Sequence, residues 1–580
     1  MRRTPLSRLA LLAGAMSLVA SLARAEDVFI KTRDGQTLSA TLALPEPKPE
    51  GRIPTILVFD IYTNPDSLKA ETEELAARGY AAVMADARGK RLGTSKPVPY
   101  EYEAADTHAV LDWIVKQPWS DGQVGMIGGS YSGFTAWSAT KRRHPALKAI
   151  ATSAAAIPGQ GLPMYNNVFL NANYQWAFYV TNNKLLDEAL NTDSGRWWTL
   201  SRNWFTSGRP LREIDAIDGA PNPLLQRWLQ HPAYDRYWQS MVPYKNEFAH
   251  INIPVLSITG YYDDAQISVM QYFRQHTELG RNPEHYLVIG PYDHLGTHWR
   301  QKPETLRGYT IDPVAQLDSR ELKLQFMDYV LRGKPKPALL KNTVNYEVMG
   351  ANVWRHSPSL GSIHGGVPMR LYFSPQKSEG LYSLVNQQPA SDAKVTHEVD
   401  LGDRVKFHGF HARPMNIIEG PLSQVTESIF LSQPFEAPTV ISGLFTGELT
   451  LVINKKDFDL SVGVYEAMPD GKLFFLGSAL HRASYAEDPT KRKLLTPGKA
   501  AKVKFETTMT SRQMLAGSRL LVLVDANKNP MAQVNYGTGM DVSDESVNDA
   551  GDPLKIEILS GSYFQVPLDN SFTTKPVKPQ

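Results

Sequence analysis

The sequence predicts an α/β protein: a doubly wound sheet, an inserted helical cap, and a C-terminal β-sandwich of jelly-roll type. Three observations predict it. Short β-rich apolar runs alternate with helical stretches from the N-terminal region to about residue 152. An aromatic-rich helical stretch then interrupts the alternation before two more strand-like runs. Beyond Gly333-Lys334-Pro335-Lys336-Pro337, short strand-like segments follow one another with turns between them.

Residues 28–31 and 37–44, joined across Asp34-Gly35, read as a hairpin. Pro54-Thr55-Ile56-Leu57-Val58-Phe59-Asp60 is a continuous apolar run, the mark of a strand buried on both faces, and residues 80–86 form another. Residues 67–78 between them read as a helix. Residues 101–117 place Ala105, Ala109, Leu111, Trp113 and Ile114 largely on one helical side. Residues 124–127 and 148–152 supply two further strands. From 159 to 248 no strand-like run is expected. Six of the eleven tryptophans fall there, which suits a cap lining a pocket for aromatic or acyl groups. Residues 254–259 and 286–290 restore the sheet, and residues 321–331 close it with a helix. The expected division is residues 1–25 leader, 26–158 and 249–335 sheet domain, 159–248 cap, 340–572 jelly roll and 573–580 frayed tail.

The leader has Arg2-Arg3, an apolar run over residues 9–22, and Ala23-Arg24-Ala25 as a small-x-small cleavage site, so export to the periplasm or beyond is expected. The run is short for a spanning helix, and no other segment is apolar enough to cross a bilayer. Formal net charge is +2, and loss of the four leader arginines turns it to −2; neither value suits a nucleic-acid partner. With no cysteine, thiol catalysis and cysteine metal sites are excluded.

The chemistry centres on Gly128-Gly129-Ser130-Tyr131-Ser132-Gly133. A serine at a sharp strand-to-helix turn has a strained backbone that lifts its hydroxyl clear of the sheet, and its neighbours must be small. Ser130 is the expected nucleophile. One departure is visible: Ser132 stands where a glycine is usual, with the glycine one place later. Asp263 follows the strand of residues 254–259, and His294 follows that of 286–290. Serine, acid, histidine, each at a strand end, is the α/β-hydrolase order.

The whole order resembles the CocE/NonD group of hydrolases, which includes cocaine esterase, the α-amino-acid ester hydrolases and the S15-type Xaa-Pro dipeptidyl-peptidases. The marks are Gly128-x-Ser130-Tyr131-x-Gly133, Gln117-Pro118-Trp119-Ser120-Asp121-Gly122, Asp86-x-Arg88-Gly89, Gly260-x-Tyr262-Asp263, Gly290-Pro291-x-x-His294 and Val348-Met349-Gly350-x-x-x-Trp354-Arg355. The resemblance implies that Tyr62 donates its hydroxyl to the oxyanion, with the Tyr131 N–H as second donor. It also implies an acyl-enzyme mechanism without metal or organic cofactor.

Trp176, Tyr165, Tyr261 and Asp264 are candidates for the substrate pocket. The α-amino-acid ester hydrolases carry a carboxylate cluster for the substrate ammonium; here its places read Ala265, Gln266 and Asn166-Asn167, with only Asp264 acidic. This favours a carboxylic ester or acyl amide with an apolar acyl part. A dipeptidyl-peptidase using Asp187, Glu188 or Asp193 is the alternative. A vestigial hydrolase serving as a binding protein is a third reading, opposed by the intact Ser130, Asp263, His294 and Tyr62. Small esters, amides or short peptides are the expected partners, and self-association is left open. Asp525-x-Asn527-x-Asn529 begins like a calcium loop, but Pro530 replaces the glycine. His294 and His298 lack the carboxylate motif of a zinc site.

Overall fold

A computed structural model describes residues 24–281, 283–298, 303–363, 368–409, 414–422 and 425–571. The expected leader, apart from its last two residues, and the expected tail lie outside the described residues.

The sheet forms where the sequence is apolar without interruption. Its strands are β1 (Glu26–Lys31), β2 (Thr37–Ala43), β3 (Ile53–Asp60), β4 (Ala81–Asp86), β5 (Ser120–Gly129), β6 (Leu147–Ser153), β7 (Val255–Tyr262), β8 (His285–Asp293), β9 (Val344–Val348) and β10 (Val353–Ser357). They lie in the order β1-β2-β4-β3-β5-β6-β7-β8-β9-β10. Pairing is parallel from β4 through β9 and antiparallel at both ends. All six residues of β4 are buried, as helices on both faces require.

Helix α1 (Pro65–Ala77) starts where Asn64 accepts the Asp66 and Ser67 amides and Pro65 fills the first turn. Helices α2 (Glu103–Ile114) and α3 (Tyr131–Lys141) cover the other face. The cap carries α4 (Ala172–Thr181), α5 (Ser194–Ser207) and α6 (Pro223–Leu229); it also holds a small hairpin, Met164–Tyr165 with Val168–Phe169, that the sequence reading did not anticipate. Helix α7 (Gln266–Leu279) follows β7, and α8 (Ser319–Arg332), capped by Asp318 and closed by Gly333, follows β8. Val58, Ile127, Leu322 and Met327 share one core beneath α1 and α8. Trp137, Tyr174, Trp197, Trp204 and Trp228 belong to a second, continuous from α3 through the cap into the C-terminal domain.

The C-terminal domain is β-rich and mostly antiparallel. Thr439–Ile453 pairs with Ala500–Met514 along nearly their full lengths, and Asp459–Ala467 lies between Leu473–Arg482 and Arg519–Ala526. One expectation is corrected: residues 344–349 were assigned to this domain, yet β9 pairs in parallel with β8. The cause is topological. β8, α8 and β9 form a strand-helix-strand unit, whose crossover returns the chain to the same sheet.

Trp137 is fully buried and stacks on Tyr272 of α7, with ring centroids 4.4 Å apart and planes 1° from parallel. Trp137→Ala is expected to cost about 3–5 kcal/mol of stability, read as a lower denaturant midpoint in chemical unfolding.

Candidate active site

β5 ends at Gly129 and α3 begins at Tyr131, so one residue makes the turn. That residue, Ser130, has φ 55° and ψ −116°, a conformation an L side chain adopts only under strain. The surroundings hold it there. Its N–H donates to the Ser153 carbonyl at 2.9 Å, at the end of neighbouring β6. A Cβ on Gly128 would come within 2.4 Å of the Ser132 backbone, and one on Gly129 within 2.2 Å of His298 Nδ1. The small residues are therefore demanded by close approach.

β7 and β8 bring the other two groups to the same edge. His294 Nε2 lies 3.0 Å from Ser130 Oγ, and its Nδ1 lies 3.0 Å from Asp263 Oδ1. Asp263 is buried, and it is fixed by the Thr259 hydroxyl at 2.7 Å and the Ala265 amide at 3.0 Å. A second carboxylate joins in, because Asp264 Oδ1 lies 2.9 Å from the same Nδ1 while remaining exposed. Burial works against a charged imidazole. The Asp264 charge and the hydrogen bonds that the imidazole donates to both carboxylates overcome it, and hold His294 well above the usual histidine range.

Tyr62 comes from the loop after β3. Its hydroxyl accepts the Trp176 indole N–H at 3.0 Å and lies within hydrogen-bond reach of Ser130. Burial, partly offset by these bonds, pushes the phenol up to about 12, so it stays a donor at any ordinary pH. Beneath it, Asp60 accepts the Ile61 and Tyr62 amides at 2.8 and 3.2 Å and bonds the Ser132 hydroxyl. Ser132, the departure from the usual glycine, is thus tied to the loop that presents Tyr62. Tyr131 is the first residue of α3, where amides lack intrahelical acceptors. Its ring is buried against Tyr100 and Phe134, and its hydroxyl donates to Glu103.

A cavity of about 680 Å³ opens on Ser130 and His294. Trp176 and Asp264 line it. Tyr165 and Tyr261 do not, and this corrects the sequence reading. Tyr165 sits in the cap hairpin and packs with Val168, Leu170, Leu480 and Ala532. Tyr261 is buried and donates to the Glu347 carbonyl at 2.6 Å, because the residue before the strand end points into the sheet's packed face. Residues the sequence reading missed are Ala172, Gln175 and Tyr179, which share the cavity-facing side of α4 with Trp176. Their spacing of three, four and seven is a helix stripe, and that signal was available. Asn166 and Asn167 turn away, donating to the carbonyls of Leu480 and of Pro232 and Pro489. A second cavity, about 540 Å³, lies between α5 and the C-terminal domain and holds none of these groups.

Ligand atoms suited to a metal converge in three places among the described residues: His108, Asp112 and His144; His397, His408 and Asp525; and Asp263, Asp264 and His294. The first two lie outside the cavity lining. In the second, the carboxylate that opens the supposed calcium loop instead accepts hydrogen bonds from both histidines, at 2.6 and 3.1 Å.

Residues 34–296 match the model of the X-Pro dipeptidyl-peptidase (S15 family), and residues 340–562 match that of the X-Pro dipeptidyl-peptidase C-terminal non-catalytic domain. Together the two matches span most of the chain, which is similar along both parts to the X-Pro dipeptidyl-peptidases of the S15 family. It is 25% identical over 555 residues to the cocaine esterase of Rhodococcus sp. (strain MB1 Bresler), covering 90% of this chain and 94% of that enzyme. Among solved structures, an aminopeptidase from a marine sediment Thaumarchaeota archaeon superposes with TM-score 0.74 at 18% identity, covering 98% of this chain and 99% of that one. An α-amino acid ester hydrolase gives 0.72 at 19% identity, covering 97% and 100%. These two likenesses establish the fold. Family and relatives together make the chain an esterase or peptidase hydrolase.

Asp264→Asn removes the larger of the two favourable charges on His294. The imidazole pKa, followed by NMR titration, is expected to fall relative to wild type; an unchanged value would show that Asp264 does not reach it.

Proposed function

We propose that this chain is an exported serine hydrolase that cleaves carboxylic esters, or acyl amides, with an apolar acyl part, through an acyl-enzyme. The observation that carries this reading is the 3.0 Å approach of His294 Nε2 to Ser130 Oγ, with His294 held from behind by Asp263. In its neutral form, which rising pH favours, His294 takes the serine proton as Ser130 attacks the acyl carbon, and Asp263 keeps the tautomer and stabilises the imidazolium. Tyr62 and the Tyr131 N–H receive the oxyanion. His294 then protonates the leaving group and later activates water to release the acid.

The cavity's aromatic arm, with Tyr62, Trp176 and Tyr179 beside Leu162 and Leu170, supports an apolar acyl part. The cap acids that a peptidase would need for an amino terminus have other partners. Asp187 and Asp193 cap helices by accepting the Leu190 and Arg196 amides at 3.2 and 2.9 Å, and Glu188 accepts the Tyr179 hydroxyl at 3.1 Å. Export rests on the leader pattern of residues 1–25.

The test compares p-nitrophenyl butanoate with Ala-Pro-p-nitroanilide. Wild type is expected to favour the ester, and Ser130→Ala to lose about 10⁴-fold or more in kcat. Tyr62→Phe is expected to lose about 100-fold in kcat with KM little changed. Ester turnover that survives Ser130→Ala defeats the mechanism, and stronger anilide turnover transfers the reading to a peptidase. N-terminal sequencing of the protein from its own cell is expected to begin at Glu26; a chain starting at Met1 refutes cleavage.

A further inference from the structure

The catalytic cavity has a second arm. It crosses the carboxyl edge of the sheet from the aromatic side of Ser130 to the side covered by α1 and α8, where Val58, Ile127, Glu71, Arg320 and Lys323 line it. Arg320 and Lys323 lie three apart on α8 and share a face. Their charges are balanced differently. Arg320 pairs with Glu71 and, at 3.4 Å, with Glu74. Lys323 is 6% exposed, and its ammonium makes one hydrogen bond, to Ser153 Oγ at 3.1 Å, with no carboxylate in ion-pair contact among the described residues. Lysines are almost never buried this deeply without a partner. Burial, helped by Arg320, lowers this one only to about 8, so it carries its charge at neutral pH.

Ser153 ties this cation to the reacting centre. Its carbonyl accepts the Ser130 amide, and its hydroxyl meets both Lys323 and, at 2.8 Å, His298 Nδ1. We propose that Lys323 forms an anion subsite that binds a carboxylate on the leaving group, so that acylated hydroxy or amino acids are the favoured substrate class. The proposal rests on the esterase reading above, in which the aromatic arm takes the acyl part and this arm takes what departs. A carboxylate seated here gains a charge-assisted hydrogen bond in a place where water screens it poorly.

Two matched esters test it: 3-carboxyphenyl butanoate and its methyl ester, whose phenols are nearly equal leaving groups. Wild type is expected to favour the acid at least tenfold in kcat/KM at pH 7, Lys323→Met to erase that ratio, and Lys323→Arg to restore part of it. Binding is measured separately in Ser130→Ala by calorimetry, where 3-hydroxybenzoate is expected to bind at least tenfold tighter than methyl 3-hydroxybenzoate. Turnover of neither ester by wild type would sink the esterase reading and leave the calorimetry to decide the subsite. Equal affinity for acid and methyl ester, or a Lys323→Met loss shared equally by both substrates, overturns the subsite. Should Lys323→Met fail to fold, the calorimetric comparison decides alone.

Discussion

The backbone of Ser130, held at a positive φ between a strand and a helix, is the constraint on which the site depends. Such a turn relaxes unless its neighbours forbid it. Here Gly128 and Gly129 allow the contacts with Ser132 and His298, β6 accepts the Ser130 amide, and α3 fixes the chain beyond. Asp60 then connects the turn to the opposite loop, taking the Tyr62 amide and the Ser132 hydroxyl on one half-buried carboxyl that desolvation raises to about 7. Nucleophile and oxyanion donor are thereby positioned by one bonded unit.

Charge is distributed unevenly around that unit. His294 faces two carboxylates, one buried and one exposed, so its basicity is set partly by a group that solvent can screen. On the far side, Lys323 is a cation in a region otherwise made of Val58, Ile127 and a compensated ion pair. The cavity is therefore polarised from its acidic histidine end to its basic helix end. The C-terminal domain supports the acidic end: Gln266, just after Asp263 and Asp264, exchanges hydrogen bonds with the Met509 backbone at 2.6 and 3.1 Å.

Local pattern carried most of the fold. The runs that became β3 and β4 are apolar throughout because helices cover both faces, whereas the helices expected at residues 67–78 and 321–331 begin earlier, at Pro65 and Ser319, where Asn64 and Asp318 cap them. Ser130, Asp263 and His294 were legible because each follows a recognisable strand. Tyr165 and Tyr261 were misplaced because a ring's direction depends on pleat and hairpin register, which composition does not encode. Lys323 went unread for the opposite reason: on a helix beside Arg320, Glu321 and Gln325 it looks like any solvated lysine. Only the packing of α8 over β5 and β6 shows that it is enclosed.

β9 and β10 lie beyond the linker-like Gly333–Pro337 stretch, yet they complete the first sheet. A gene fragment cut at that stretch would leave β8 as a raw edge, with main-chain donors and acceptors unmet along the strand that leads into His294. Recombination that respects the architecture has its natural seam some twenty residues later, after Ser357. The two halves of this enzyme are modules in space but not at the place where the prolines suggest a joint.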